Sequence, residues 1–109
     1  MFRPPLALVL ALTMVAEPAA AELPTYPVVV RDGRVEPAML AVPAGVRLRL
    51  AVSNGGSGPC EFENLALRVE KVLAPGAVST LVLPPLRPGS YLFVDEFHPD
   101  GAALTLIAK

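Results

Sequence analysis

Thirteen prolines and eight glycines divide this chain of 109 residues into short segments, and this punctuation restricts the folds that it can adopt. Proline breaks helices, and in sheets it is tolerated at edges and strand ends. The segments between the breaks are rich in valine and leucine, and several carry aromatic residues. About seven short strands at turn-marked spacing therefore predict an all-β domain, built as a sandwich or a barrel.

The clearest strand signal lies over residues 46–53, where apolar residues alternate with Arg47, Arg49 and Ala51. This alternation is typical of a half-buried strand with a wet face. Further strands are predicted over residues 26–31, 39–42, 77–83, 91–94 and 104–108. Residues 62–73 fit either a helix or a strand, and we prefer a strand followed by an irregular connection.

The N-terminal residues 1–21 are predicted to be a signal peptide rather than part of the fold. Arg3 supplies a positive charge, residues 6–15 form an apolar run, and Ala19–Ala21 matches a cleavage pattern of small residues. The apolar run is too short for a permanent membrane span, although an uncleaved anchor is the alternative. The sequence therefore predicts one exported domain over residues 22–109.

Charge and cysteine content exclude several classes of function. The net charge is −1 and there is no basic run, which argues against nucleic acid as a partner. Cys60 is the only cysteine, so no intrachain disulfide can form. None of the serines lies in a glycine-flanked nucleophile elbow, and a single histidine would have to serve any triad. No catalytic nucleophile is predicted.

Polar residues follow the predicted strand 91–94 abruptly, and this is where a metal site is expected. Asp95 and Glu96 come first, and His98 is the only histidine of the chain. Earlier in the chain, Glu61 and Glu63 are two residues apart on a predicted strand and so share a face. We predict a metal site whose candidate ligands are His98, Glu61, Glu63, Asp95, Glu96 and Cys60.

The chemistry of these donors leaves the metal open. Carboxylates suit iron, manganese or calcium, and an imidazole adds affinity for copper, zinc or iron. The acids could equally form a solvated rim. His98 could be a loop histidine bonded to the backbone, and Cys60 could be a small buried apolar residue rather than a thiolate.

The order of these features resembles the cupredoxins. In that family an aromatic strand ends at a metal ligand, a histidine follows three residues later, and a tight loop leads to the last strand. The resemblance implies a Greek-key β-sandwich, with Asp95 at the position of the copper-binding cysteine and His98 at the loop histidine. The remaining histidine position falls on Cys60 or Glu61. Because a blue copper site needs two histidines and a thiolate, one histidine excludes such a site by count.

Several short motifs resemble more narrowly the cupredoxin-like domains of bacterial iron-uptake systems. These are the N-terminal domain of EfeO-type proteins and the stand-alone cupredoxins that accompany high-affinity iron permeases. The motifs are DGRVEP, VPAG, EFEN, EKVLAPG, LRPGSY and EFHP, in this order over residues 32–99. EfeO-type proteins often continue into a large helical domain, which is not part of this sequence.

This resemblance implies a periplasmic protein that binds iron or copper in iron acquisition. It would oxidise Fe(II) or deliver metal to an inner-membrane permease, together with other periplasmic iron-uptake proteins. A binding protein is favoured over a ferroxidase-type enzyme. Two alternatives stay open: a copper-handling chaperone, favoured if the Cys60 thiol is exposed, and a redox-silent interaction module whose metal site has decayed.

Overall fold

Nine β-strands form the regular structure of the computed structural model, which describes residues 1–13 and 22–109. No helix occurs among these described residues. In chain order the strands are β1 (Thr25–Arg31), β2 (Arg34–Glu36), β3 (Met39–Val42), β4 (Leu48–Asn54), β5 (Cys60–Asn64), β6 (Val69–Leu73), β7 (Val78–Leu83), β8 (Gly89–Asp95) and β9 (Leu104–Ala108).

The strands form two sheets. One has four strands in the order β2-β1-β4-β7, and the other has five in the order β3-β9-β8-β5-β6. Two neighbouring pairs are parallel, β1 with β4 and β3 with β9, and the other pairs are antiparallel. The end of β8 lies beside the start of β5, because Phe62 pairs with Asp95. Two polar segments far apart in sequence thus meet at one end of the sandwich.

Alternating apolar residues from both sheets fill the core. In β4 every second residue is buried, including Leu48, Leu50 and Val52. The rings of Phe62 and Phe93 stack with their centroids 5.0 Å apart, and both side chains are fully buried. Complete burial of a side chain of this size stabilises the fold by about 2–3 kcal/mol. The stacked pair anchors β5 to β8 directly below the polar end of the sheet.

The all-β sandwich predicted from the sequence is confirmed, with nine strands rather than about seven. The first additional strand is β2, which continues the chain after the Asp32–Gly33 turn and pairs with β1. The second arises because residues 62–73 contain parts of two strands joined by a turn at Leu65–Arg68. Short strands of this kind span too few residues to show a periodicity of their own.

Residues 1–13 have no regular secondary structure and are exposed. Within the described parts of the chain, no helix has the length and apolar character that crossing a membrane requires. The predicted cleavage after Ala21 lies outside the described residues, so the division into a signal peptide (1–21) and a domain (22–109) stays a prediction.

Candidate functional site

Asp95 ends strand β8 with its carboxylate inside the protein, where it accepts three hydrogen bonds. The residue is 2% exposed. Its Oδ1 accepts the backbone N–H groups of Glu61 (3.0 Å) and Phe97 (3.1 Å), and its Oδ2 lies 2.7 Å from Nδ1 of His98. Since a carboxylate only accepts, Nδ1 is the protonated nitrogen of the imidazole. Asp95 thus joins β5, the turn after β8 and His98.

Hydrogen bonds within the β8–β9 loop fix the position of His98. The backbone N–H of His98 donates to the carbonyl of Asp95 (2.9 Å), and that of Gly101 donates to the carbonyl of His98 (2.9 Å). The His98 side chain is 48% exposed. The loop therefore presents one edge of the ring to solvent while Asp95 holds the other.

The β8–β9 loop packs against the turn between β1 and β2. A β-carbon added to Gly33 would lie 3.0 Å from the β-carbon of His98, and one added to Gly101 would overlap the carbonyl oxygen of Gly33. The backbone N–H of Val35 donates to Ala102 (2.8 Å). Glycine at position 101 is therefore required for this close approach of two backbones.

The third segment at this end is the β4–β5 loop, which Asn54 organises. Its Nδ2 donates to the carbonyls of Gly58 (2.8 Å) and Leu73 (3.0 Å), and its Oδ1 accepts from the N–H of Gly56 (2.9 Å). Asn54 is 3% exposed. The glycine-rich loop, flexible by composition, is thus tied to the neighbouring strands by one buried amide.

Asp32 connects this loop to the β1–β2 turn and was not among the candidate ligands. Its Oδ1 accepts the backbone N–H (2.8 Å) and the hydroxyl (2.9 Å) of Ser57. These two hydrogen bonds, and then the proximity of His98 and Arg31, lower the pKa of the Asp32 carboxyl. The Asp-Gly turn predicts the backbone conformation at Asp32, but the contact with Ser57 has no signal in the sequence.

Cys60 lies at the same end, inside the core. The residue is 2% exposed. Burial raises the pKa of its thiol, and the negative charge of Asp95 raises it further. The thiolate is the form that binds metal, and the raised pKa of the Cys60 thiol disfavours that form. The side chain acts as a small apolar residue of the core.

The side chains of Glu61 and Glu63 face the opposite way, on the outer surface of the five-stranded sheet. There they meet Glu70, which lies directly across from Glu63 in the β5–β6 ladder. One carboxylate oxygen from each of the three lies within 4.8 Å of the others. Glu63 is only 7% exposed, and no lysine or arginine in the described part of the chain pairs with any of the three. We call this group the glutamate triad.

Negative charges at such short separations repel one another. A hydrogen bond with Glu61, then the charge of Glu61 and lastly desolvation raise the pKa of the Glu70 carboxyl. Carboxylate oxygens are the donors that hard cations prefer. A cation bound among the three would remove the repulsion, so the triad has the chemistry of a metal site.

The six candidate ligands therefore fall into separate places. Asp95, His98 and Cys60 lie together at the end of the sandwich where β8 finishes, which we call the inner end. Glu61 and Glu63 belong to the triad on the outer face of the five-stranded sheet. Glu96 is exposed in the turn after β8, where its backbone N–H donates to the carbonyl of Glu61. The main chain of Glu61 thus lies beside the His98 loop, while its side chain points to Glu70. Glu70 was missed as a candidate because residues 62–73 gave no clear register.

The inner group does not fit a blue copper centre. Such a centre takes two imidazoles and a thiolate. The chain has one histidine, the Nδ1 of that histidine donates to Asp95, and burial raises the pKa of the Cys60 thiol. Asp95 is held by three internal hydrogen bonds instead of being free for a metal.

Comparison with known proteins shows which family this chain belongs to. A model of the cupredoxin-like domain matches residues 5–108. The uncharacterized protein RP394 of Rickettsia prowazekii is 32% identical over 75 residues, which cover 69% of this chain and 60% of that protein. This chain thus matches less than two thirds of the length of that relative.

Three solved structures share the fold at low sequence identity. A chain of a heme-copper terminal oxidase dimer superposes with a TM-score of 0.66 at 14% identity, over 79% of this chain and 65% of that one. Auracyanin from Roseiflexus castenholzii superposes with a TM-score of 0.64 at 14% identity, over 78% of this chain and 96% of that one. A purple cupredoxin from Nitrosopumilus maritimus superposes with a TM-score of 0.56 at 17% identity, over 76% of this chain and 98% of that one. Since the family model covers nearly the whole chain and these structures share its fold, the protein belongs to the cupredoxin-like domain family.

Proposed function

We propose that this protein is a periplasmic, cupredoxin-like iron-binding protein that holds the metal at the glutamate triad and acts in iron acquisition. The observation that carries the proposal is the convergence of Glu61, Glu63 and Glu70, whose carboxylate oxygens lie within 4.8 Å of one another. Burial of a carboxylate is unfavourable unless a positive charge compensates it. Glu63 is buried with two like charges beside it, and a cation supplies that compensation.

The choice of iron rests on the donor set together with the sequence motifs. Oxygen donors alone favour hard cations over Cu(I), which prefers sulfur ligands. The EFEN and EKVLAPG motifs contain all three glutamates and resemble those of iron-uptake cupredoxins. In this proposal iron is cargo: the domain is exported by its signal peptide and gives the metal to an inner-membrane permease.

Metal titration tests the proposal. The protein is titrated with Fe(III) nitrilotriacetate, and separately with Mn(II) and Cu(II), and binding is followed by calorimetry. Because Glu63 is the most buried member of the triad, Glu63→Gln is expected to weaken Fe(III) binding. Loss of a residue that only supports a metal ligand weakens binding about tenfold to hundredfold, and loss of a ligand itself should cost at least as much.

Glu96→Gln is the matched control, because the main chain of Glu96 contacts that of Glu61 while its acidic side chain lies in an exposed turn. It is expected to bind Fe(III) as the unaltered protein does. If His98→Ala abolishes binding and Glu63→Gln does not, the metal is held at the inner end of the sandwich and the triad proposal is wrong.

A redox-silent interaction module is the second candidate, and the geometry of Asp95 favours it. Its carboxylate closes the inner end of the sandwich with hydrogen bonds to β5, Phe97 and His98. The copper-chaperone alternative depended on an exposed thiol, whereas Cys60 is buried.

A further inference from the structure

Strand β8 has an open edge along its first half. It pairs with β9 on one side from Gly89 to Phe93, but with β5 on the other side only at Val94 and Asp95. The two strands separate because the chain leaves the ladder after Asn64 and turns at Leu65–Arg68. The open segment of β8 thus comprises Ser90, Tyr91 and Leu92.

The side chain of Asn64 takes the next position of the ladder and shows which groups face the gap. Its Nδ2 donates to the carbonyl of Leu92 (2.9 Å), and its Oδ1 accepts the N–H of Leu67 (2.9 Å). In an antiparallel strand the N–H and C=O of one residue point to the same side. The N–H of Leu92, and both backbone groups of Ser90 two residues earlier, therefore point into the gap between β8 and the Leu65–Arg68 turn.

A cavity of about 350 Å³ occupies this gap. This volume lies at the lower end of the range of ligand sites. Apolar side chains form most of its wall, among them Leu65, Leu92 and Val94, and Leu65 and Leu92 are 72% and 56% exposed. Such apolar side chains beside open ladder positions are a liability unless something covers them.

Glu63 forms one end of the cavity, so the gap opens onto the glutamate triad. Three acids without a basic partner among the described residues give this end a concentrated negative charge. A backbone that pairs with Ser90 and Leu92 and carries a lysine or arginine would satisfy the ladder positions and the acids together. A small cation would satisfy only the acids, and an uncharged peptide would satisfy only the ladder positions.

We propose that an extended, basic segment of a partner protein adds as a strand beside Ser90–Leu92, with apolar side chains in the cavity and a lysine or arginine on Glu63. Strand addition of this kind takes its affinity from backbone hydrogen bonds and its specificity from side-chain pockets. The inference does not rest on the proposed iron site, because the open edge and the negative charge exist without a metal. If the triad holds a cation, that cation and the basic segment compete for Glu63.

The probe is an acetylated, amidated pentapeptide with lysine at position 1, valine at positions 3 and 5, and threonine between them, so that the lysine and both valines lie on one face of the strand. It is titrated into the full ¹⁵N-labelled protein in the presence of a chelator. We expect the amide resonances of Ser90 and Leu92 to shift and the exchange of the Leu92 amide with solvent to slow. An analogue that is N-methylated at alternate residues loses ladder bonds and should bind about tenfold more weakly. An analogue with glutamate in place of lysine should bind more weakly still.

Protein variants test the position of the site. Leu92→Lys places a positive charge and a longer side chain at the cavity and should abolish binding. Val82→Lys is the matched control, since Val82 is a similarly exposed strand residue of the other sheet. Equal binding of the N-methylated analogue, or shifts confined to the region of Val82, would overturn the proposal.

Addition of Fe(III) separates this inference from the proposed function. Displacement of the peptide by Fe(III) supports both. Fe(III) binding to a protein that does not bind the peptide overturns only the docking surface. Peptide binding to a protein that does not bind Fe(III) overturns only the iron site.

Discussion

Glu63 lies directly across the β5–β6 ladder from Glu70, with one carboxylate oxygen from each within 4.8 Å of the other. Like charges at directly opposed positions of a sheet destabilise the pair. Glu61 adds a third negative charge on the same face. An arrangement that weakens the isolated fold and gathers hard donors is typical of a functional site.

Removal of one charge from the triad should stabilise the protein. The pKa of Glu70 is raised in the folded state, so its ionised form is disfavoured there and stability falls as pH rises through that pKa. Glu70→Gln should therefore raise the melting temperature at pH 7 and change it little near pH 4. Calorimetric scans at both pH values measure this, and a melting temperature that falls at pH 7 would contradict the repulsion.

Replacement of Asp95 should destabilise the fold strongly. Asp95→Ala removes the acceptor of two backbone N–H groups and of the His98 imidazole. These donors are partly buried, and a donor that loses its acceptor costs about 1–3 kcal/mol when fully buried, so the free energy of unfolding should fall by about 2–3 kcal/mol. Urea unfolding measures this. Asp100→Ala alters an exposed residue of the same loop and should change stability by less than about 0.5 kcal/mol.

The contact between Asp32 and Ser57 should give a stabilisation that acid removes. Because the pKa of Asp32 is lowered in the folded state, its contribution is present above about pH 4 and is lost as pH falls through the folded value. Asp32→Asn keeps an acceptor for Ser57 but no charge. The difference in urea midpoint between the two proteins should be constant from about pH 5 to 7 and shrink below about pH 4. A difference that does not change with pH would show that the charge of Asp32 contributes nothing.

Copper should bind without the colour of a blue copper protein. The intense colour of such proteins needs a copper–thiolate bond, and Cys60 is buried with a raised thiol pKa. Cu(II) should give a pale species without a thiolate band, and Cys60→Ala should leave its spectrum unchanged. Absorption spectroscopy checks this. An intense blue band that disappears in Cys60→Ala would make Cys60 a ligand.

Local patterns in the sequence predicted much of the fold. The strict alternation around Leu48, Leu50 and Val52 predicted β4, and the segment 104–108 predicted β9. Such patterns are local because the side chains of a strand alternate between two faces whatever the strand pairs with. The absence of a blue copper centre also follows from the sequence, since it depends only on the number of histidines.

Only the tertiary structure decided which of the candidate ligands meet. The pairing of Phe62 with Asp95 places the β5 backbone at the Asp95 carboxylate, and the β5–β6 register sets Glu70 beside Glu63. Register depends on contacts between strands and on the turn that joins them, and a shift of one residue would reverse every side chain. Residues 62–73 leave that register open, so the inner group with Asp95 and His98 and the outer glutamate triad become distinct only when the sheet is formed.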